Sequence, residues 1–291
     1  MRKEAKEVQE AEEVKEVTEK NAGIAAFFDL DGTLMPLPSL ECRFFRMLRY
    51  RKFIGIRNCF LWLMEAARLV PRGINQIMHA NKMYLRGVRT DVECGRTDIL
   101  VCLFSEHEVD EKRRRQARMP VPLYPEAIER VEWHAERGHV IVIVSGTLEP
   151  LAERAARGLE AELAERGLAT KIWVRATRLE MSAGSWTGRI VGEAMFGEAK
   201  ARAIRRIAAE LDLDLQRCFA YGDSANDKWM LDAVGRPAAV NPSNDLARIA
   251  RRNDWVVLLW GKEKTFIQRT QRSDENESEL QTARAKTGFW A

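Results

Sequence analysis

One stretch limits what this chain can fold into more than any other. Ile24-Ala25-Ala26-Phe27-Phe28 runs without a break into Asp29-Leu30-Asp31-Gly32-Thr33-Leu34. A short uninterrupted apolar run has the profile of a strand buried on both faces, as in the middle of a parallel sheet. A carboxylate at its end is costly unless a cation or a reaction needs it. Ligands of open α/β sheets lie outside the carboxyl ends of the strands. Taken alone, the motif is equally an Asp-x-Asp-Gly turn that closes a strand, so the downstream segments decide.

Those segments alternate helix and strand. Pro125 opens a helix that ends at Arg137-Gly138, with proline in the first turn and glycine past the last. Val140 to Val144 is a second buried strand, ending at Ser145-Gly146-Thr147. A helix over 150–166, a strand near Lys171 to Val174, a hairpin over 179–190 and a helix over 198–211 follow. Next come a strand from Cys218 to Tyr221 ending at Gly222-Asp223, a helix over 227–234, and short strands at 238–240 and 255–259. Repeated strand–helix units demand a doubly wound parallel sheet with helices on both faces, an α/β fold.

Between the first and second strands the pattern differs. Phe44, Phe45, Met47 and Leu48, then Phe60, Leu61, Leu63 and Met64, suggest amphipathic helices, Pro71-Arg72-Gly73 marks a turn, and helical patterning resumes over 74–88 and 101–118. The expected plan is a charged arm over 1–21, a core from 22–36 and 120–262, a small helical insertion over 37–119, and a polar tail over 263–291.

Charge and cysteine usage exclude several classes. Net charge is only +4 and the cations are spread along the chain, so nucleic acid is not an expected partner. The basic run Lys112-Arg113-Arg114-Arg115 reads as a solvated helix face. Five cysteines with no C-x-x-C pair read as free thiols in a reducing cytoplasm. The first residues are densely charged and carry no apolar h-region. The apolar stretch from Phe53 to Val70 is interrupted by Arg57, Glu65 and Arg68, which argues against a spanning helix and leaves peripheral contact with a lipid surface open.

The strand ends carry the chemistry. Asp29 and Asp31 follow the first strand, Ser145 the second, and Asp223 and Asp227 a later one, while Lys200 sits near a helix start. Singly, Lys200 is a surface lysine, Ser145 a turn residue and Asp223-Ser224-Ala225-Asn226-Asp227 a capped turn; together, in this order, they converge on one sheet edge. Carboxylates so crowded imply a divalent cation, and all-oxygen ligands favour Mg²⁺. A lysine and a hydroxyl beside it are what a phosphoryl group needs. A carboxylate can then act as nucleophile.

On these residues the sequence resembles the haloacid dehalogenase superfamily of phosphohydrolases, in its phosphoserine-phosphatase-like branch. Asp29-Leu30-Asp31-Gly32-Thr33-Leu34, Val144-Ser145-Gly146-Thr147, Lys200 and Gly222-Asp223-Ser224-Ala225-Asn226-Asp227 match its four motifs, and the insertion resembles its small cap. The resemblance implies that Asp29 is the nucleophile and Asp31 the general acid and base. It implies Mg²⁺ held by Asp29, the backbone carbonyl of Asp31 and Asp223, with Asp227 nearby. It assigns the phosphoryl group to Ser145, Lys200 and the amides around Gly146, with Asn226 in reach.

The substrate expected is a small organic or lipid-like phosphomonoester. Phosphoserine phosphatases carry a glutamate soon after the first motif that reads the substrate amine. Here Met35-Pro36-Leu37-Pro38-Ser39-Leu40 is apolar and proline-broken, Glu41 is the nearest acid, and Thr147 and Ser224 replace usual glycines. Phosphotransfer to an acceptor other than water and a non-catalytic scaffold are the rival functions; oligomeric state has no sequence signal.

Overall fold

The computed structural model describes residues 23–90 and 122–261. The two terminal segments, the second part of the insertion with its basic run, Cys94 and Cys102 lie outside the described residues.

The strands, in chain order, are β1 (Ala25–Phe28), β2 (Val140–Leu148), β3 (Ile172–Thr177), β4 (Leu179–Ser182), β5 (Ser185–Ile190), β6 (Phe219–Gly222), β7 (Arg236–Val240) and β8 (Val256–Leu258). Six of them form one parallel sheet in the order β3-β2-β1-β6-β7-β8, and β4 and β5 form a separate antiparallel hairpin. The chain starts in the middle, winds outward through β2 and β3, and returns to build β6, β7 and β8 on the other side. The switch lies between β1 and β6, where Asp29 N donates to Tyr221 O at 2.9 Å. In this topology the crevice at the carboxyl ends of β1 and β6 is the place for a ligand.

Alternation along each strand divides the core into two layers. Ala26, Phe28, Ile141, Ile143, Phe219 and Tyr221 face one layer of helices, α4 (Pro125–Glu136) and α5 (Glu149–Glu165). Ala25, Phe27, Val142, Val144 and Ala220 face the other, α6 (Glu198–Glu210), α7 (Lys228–Leu231) and α8 (Asn244–Arg252). Burial on both faces is why β1 reads as an unbroken apolar run.

Two parts of this wall differ from expectation. The helix expected over 227–234 reduces to α7, because Ser224 N and Oγ both donate to Asp227 Oδ2 and wind residues 225–227 into a tight 3-10 turn first. Helix α8 gave no apolar signal: only Leu246 and Ala250 are buried, and Ser243 Oγ caps it by accepting from Leu246 N.

The insertion contributes α1 (Leu40–Tyr50), α2 (Ile56–Leu69) and α3 (Ile74–Ala80), forming a small helical cap over the sheet edge. The helical run expected over 74–88 stops at Ala80. Asn81 Nδ2 turns back to donate to Trp62 O at 2.8 Å, and the chain then runs beside the hairpin, Gly87 N donating to Trp186 O and Trp186 N to Val88 O. Trp186 packs edge-on against Phe44 of α1. The hairpin therefore ties the exit of the cap to the core, a contact local sequence does not announce. Among the described residues no helix is long and apolar enough to cross a membrane.

Candidate active site

Each expected site residue stands where an element of the core ends. Asp29 is the first residue after β1, and Asp31 follows in the turn. Strand β2 runs on past Val144 to Leu148, but its register with β3 shifts between Ser145 and Leu148. Such a bulge re-aims side chains beside a site, and here Thr177 Oγ1 holds it by donating to Gly146 O at 2.8 Å. Lys200 lies in the first turn of α6, and Asp223 and Asp227 flank the turn after β6. Two glycines make this approach workable. Gly32 has φ +89, and a Cβ there would run into the Asp223 carboxylate; a Cβ on Gly222 would run into Asp227.

The chain brings all of these residues to one cavity of about 880 Å³. Asp29, Asp31, Ser145, Gly146, Lys200, Asp223 and Asn226 line it, while Asp227 sits behind Lys200. Lys200 Nζ donates to Asp29 Oδ1 at 2.6 Å and to Asp227 Oδ1 at 2.5 Å. Asp31 is turned away from this cluster: its Oδ1 accepts from Leu40 N, the first amide of α1, at 2.6 Å. That amide is one a helix N-terminus leaves without an intrahelical partner.

Burial and crowding set the protonation of these acids. Burial pushes the Asp29 carboxyl up to about 7 against the pull of Lys200, with Asp227 and Asp31 adding to the rise. Asp223 is pushed up to about 8 by burial and by the charges of Asp29 and Asp227. Asp31 rises to about 6, burial outweighing the Leu40 amide that favours its anion. Asp227 is buried too, yet Lys200 and the Ser224 donors hold it below the usual carboxylate range. For Lys200, its two carboxylates overcome burial and keep the ammonium.

One lysine thus faces more carboxylate than it can neutralise. Asp29, Asp223 and Asp227 each present an oxygen within 4.8 Å of the other two. This hard-oxygen set, open to a cavity, fits a hard divalent cation.

Sequence reasoning singled out Glu41 only as a nearby acid and missed its partners. Lys82 Nζ donates to both Glu41 oxygens, at 2.6 and 2.7 Å, and Tyr84 OH donates to Oε1 at 2.6 Å. Nothing local marks Lys82 as buried, because its partner is forty-one residues away. His79 of α3 and Phe196 of the core, stacked at 4.7 Å between ring centres, were also missed; both line the cavity.

The model of the haloacid dehalogenase-like hydrolases matches residues 26–232. The chain belongs to that family. Within it, the chain is a phosphatase-type hydrolase of the phosphoserine-phosphatase-like branch. A Mycobacterium tuberculosis protein named phosphoserine phosphatase SerB1 is 30% identical over 236 residues, which cover 80% of this chain and 70% of that protein. A Streptomyces azureus protein named for inhibition of morphological differentiation is 39% identical over 140 residues, 47% of this chain and 46% of that protein. Among solved structures, a protein of unknown function from Bordetella pertussis Tohama I shares the fold with a TM-score of 0.52 at 26% identity, over 80% of this chain and 97% of that one.

Proposed function

We infer that this haloacid dehalogenase-like hydrolase is a Mg²⁺-dependent phosphomonoesterase that works through an aspartyl-phosphate on Asp29, acting on a small organic or lipid-like phosphate. The observation that carries this reading is the pairing of Lys200 with Asp29 and Asp227 on the floor of a cavity that Ser145, Asp223 and Asn226 also line. The name of the Mycobacterium tuberculosis relative is in keeping with the phosphomonoester class.

Lys200 occupies Oδ1 of Asp29 and leaves Oδ2 as the nucleophile. That oxygen attacks phosphorus in line, and the P–O bond to the alcohol breaks. Asp31, with a carboxyl near 6, gives its proton to the departing alkoxide. It then takes a proton from the water that attacks phosphorus and releases phosphate from Asp29. Ser145, the Gly146 amide, Lys200 and Asn226 hold the phosphoryl oxygens. Asp29, Asp223 and the Asp31 carbonyl would hold Mg²⁺, with Asp227 behind them. When bound, the cation neutralises charge on the phosphoryl oxygens.

Phosphate release from p-nitrophenyl phosphate and a panel of phosphomonoesters, with Mg²⁺ and with chelator, tests the reading. Chelator-sensitive release is the expected result. Folded protein that releases no phosphate from any ester in Mg²⁺ sinks it.

A further inference from the structure

The cavity has two unlike ends. Its floor is the charged cluster of the core. Its cap wall carries Leu37, Cys42, Phe45, Cys59, Trp62 and Leu63, with the uncharged polar Ser39 and Asn81 among them. Leu37 is 65% and Leu63 59% exposed. Those two extend the apolar lining out to the surface. The only acid on the cap wall, among the described residues, is Glu41.

Glu41 is already neutralised. Lys82, 3% exposed, spans both of its oxygens, and Tyr84 OH adds a third hydrogen bond. A substrate ammonium approaching this carboxylate meets an anion already paired with a cation 2.6 Å away, which offsets much of its field. A substrate carboxylate approaching Lys82 meets Glu41 in the same way. His79, the other basic side chain at this end, is kept neutral first by burial and then by the Lys82 charge. A charged alcohol would therefore lose its hydration on this wall and gain no counter-charge. An apolar alcohol would lose nothing and bury its surface.

We propose that the alcohol half of the substrate is uncharged and apolar, and that Lys82 determines this preference by neutralising Glu41. This rests on the phosphomonoesterase reading above and names the class of ester that the site takes. The chemistry is shared by single-chain alkyl phosphates and by aryl phosphates.

The test compares kcat/KM for matched esters in Mg²⁺. For the wild type, ethyl phosphate is expected to exceed phosphoethanolamine, its amino-bearing counterpart, by at least about tenfold. Along the series from ethyl to octyl phosphate, each methylene buried in the cavity is expected to add up to about fourfold. A steep alkyl series identifies a chain-like alcohol, and a preference for 1-naphthyl phosphate over the octyl ester identifies an aryl one. Lys82→Met leaves Glu41 charged beside Tyr84 and should raise the phosphoethanolamine to ethyl phosphate ratio about tenfold. Glu41→Gln leaves Lys82 as a net cation and should instead raise the phosphoglycolate to ethyl phosphate ratio. A merely structural ion pair would lower all rates together and leave both ratios unmoved.

The proposal is overturned if the wild type prefers phosphoserine or phosphoethanolamine to the alkyl esters, or if neither ratio moves in the folded variants. Release from p-nitrophenyl phosphate with the wrong ranking overturns this proposal alone. Silence on every ester overturns the phosphomonoesterase reading and this proposal with it.

Discussion

Two lysines are buried to nearly the same depth, Lys200 in the core at 4% exposure and Lys82 under the cap at 3%. Both donate to carboxylates at 2.5 to 2.7 Å. They differ in balance. Lys82 meets one carboxylate, which also accepts from the Tyr84 hydroxyl, so its cluster is neutral and complete. Lys200 meets Asp29 and Asp227 directly, with Asp223 and Asp31 close enough to raise or be raised by their neighbours. Burying charge is costly in either case, but only the second cluster is left with surplus negative charge beside a cavity. That surplus is what a hard divalent cation would balance.

The largest effect expected is at the surplus side. Asp29→Asn removes the proposed nucleophile and should lower turnover at least about 10⁴-fold, measured as phosphate release; a rate near the wild type would break the comparison at its root. Lys200→Met leaves Asp29 and Asp227 buried without their cation. It should cost about 3–5 kcal/mol of stability in urea titrations with chelator present, and added Mg²⁺ should restore part of it. Unchanged stability in chelator would mean that the surplus is not felt.

How far these features could be read from sequence follows from where their partners lie. β1 and the turns after β1, β2 and β6 were legible because each packs strand and polar residue into one short segment, as in Phe28-Asp29 and Gly222-Asp223. The six-stranded parallel core followed from the strand–helix alternation. Lys82 was not legible, since the residue that makes it special is Glu41 on another helix. Helix α8 escaped because nearly all its surface is solvated, and α7 was overdrawn because Asp227 serves the turn before it. The direction of the Asp31 carboxyl, toward the cap helix and not the acidic cluster, depends on a backbone amide that no side-chain pattern encodes.

On the balanced side the effects should be smaller and should cancel. Lys82→Met alone should cost about 3–4 kcal/mol, because Glu41 remains as an unpaired charge, whereas Lys82→Met with Glu41→Gln should cost about 1 kcal/mol. A double variant no more stable than the single one would show that Lys82 serves packing and not balance. Urea titrations of the three proteins decide between these.

A third buried cluster carries no formal charge and extends the comparison. His134 and His139 face each other with their Nδ1 atoms 2.7 Å apart, and His134 Nε2 lies 2.9 Å from Tyr221 OH. Burial lowers both imidazoles, His139 to about 4. The unfolded chain takes up the proton first, near 6.5, so the stability from neutral His139 is complete above about pH 6.5 and is lost as pH falls toward about 4, at most about 3 kcal/mol. The difference in urea midpoint between pH 7 and pH 4.5 should therefore be smaller in His139→Gln than in the wild type; equal differences would exclude this site as the source.

The hydrogen bond from Leu40 N to Asp31 Oδ1 joins the cap helix to the carboxyl that the proposed mechanism uses to move the proton. An amide binds a carboxylate more strongly than a carboxylic acid, so the ionisation of Asp31 and the seating of α1 are linked, each favouring the other. In the mechanism proposed above, Asp31 is neutral when the ester arrives and anionic once the alcohol has left. It stays anionic until water gives it a proton back. On that mechanism the helix would be held hardest while Asp29 carries the phosphoryl group, and would loosen as phosphate forms. One backbone amide would thereby tie the stage of that cycle to how firmly the cap helix is seated.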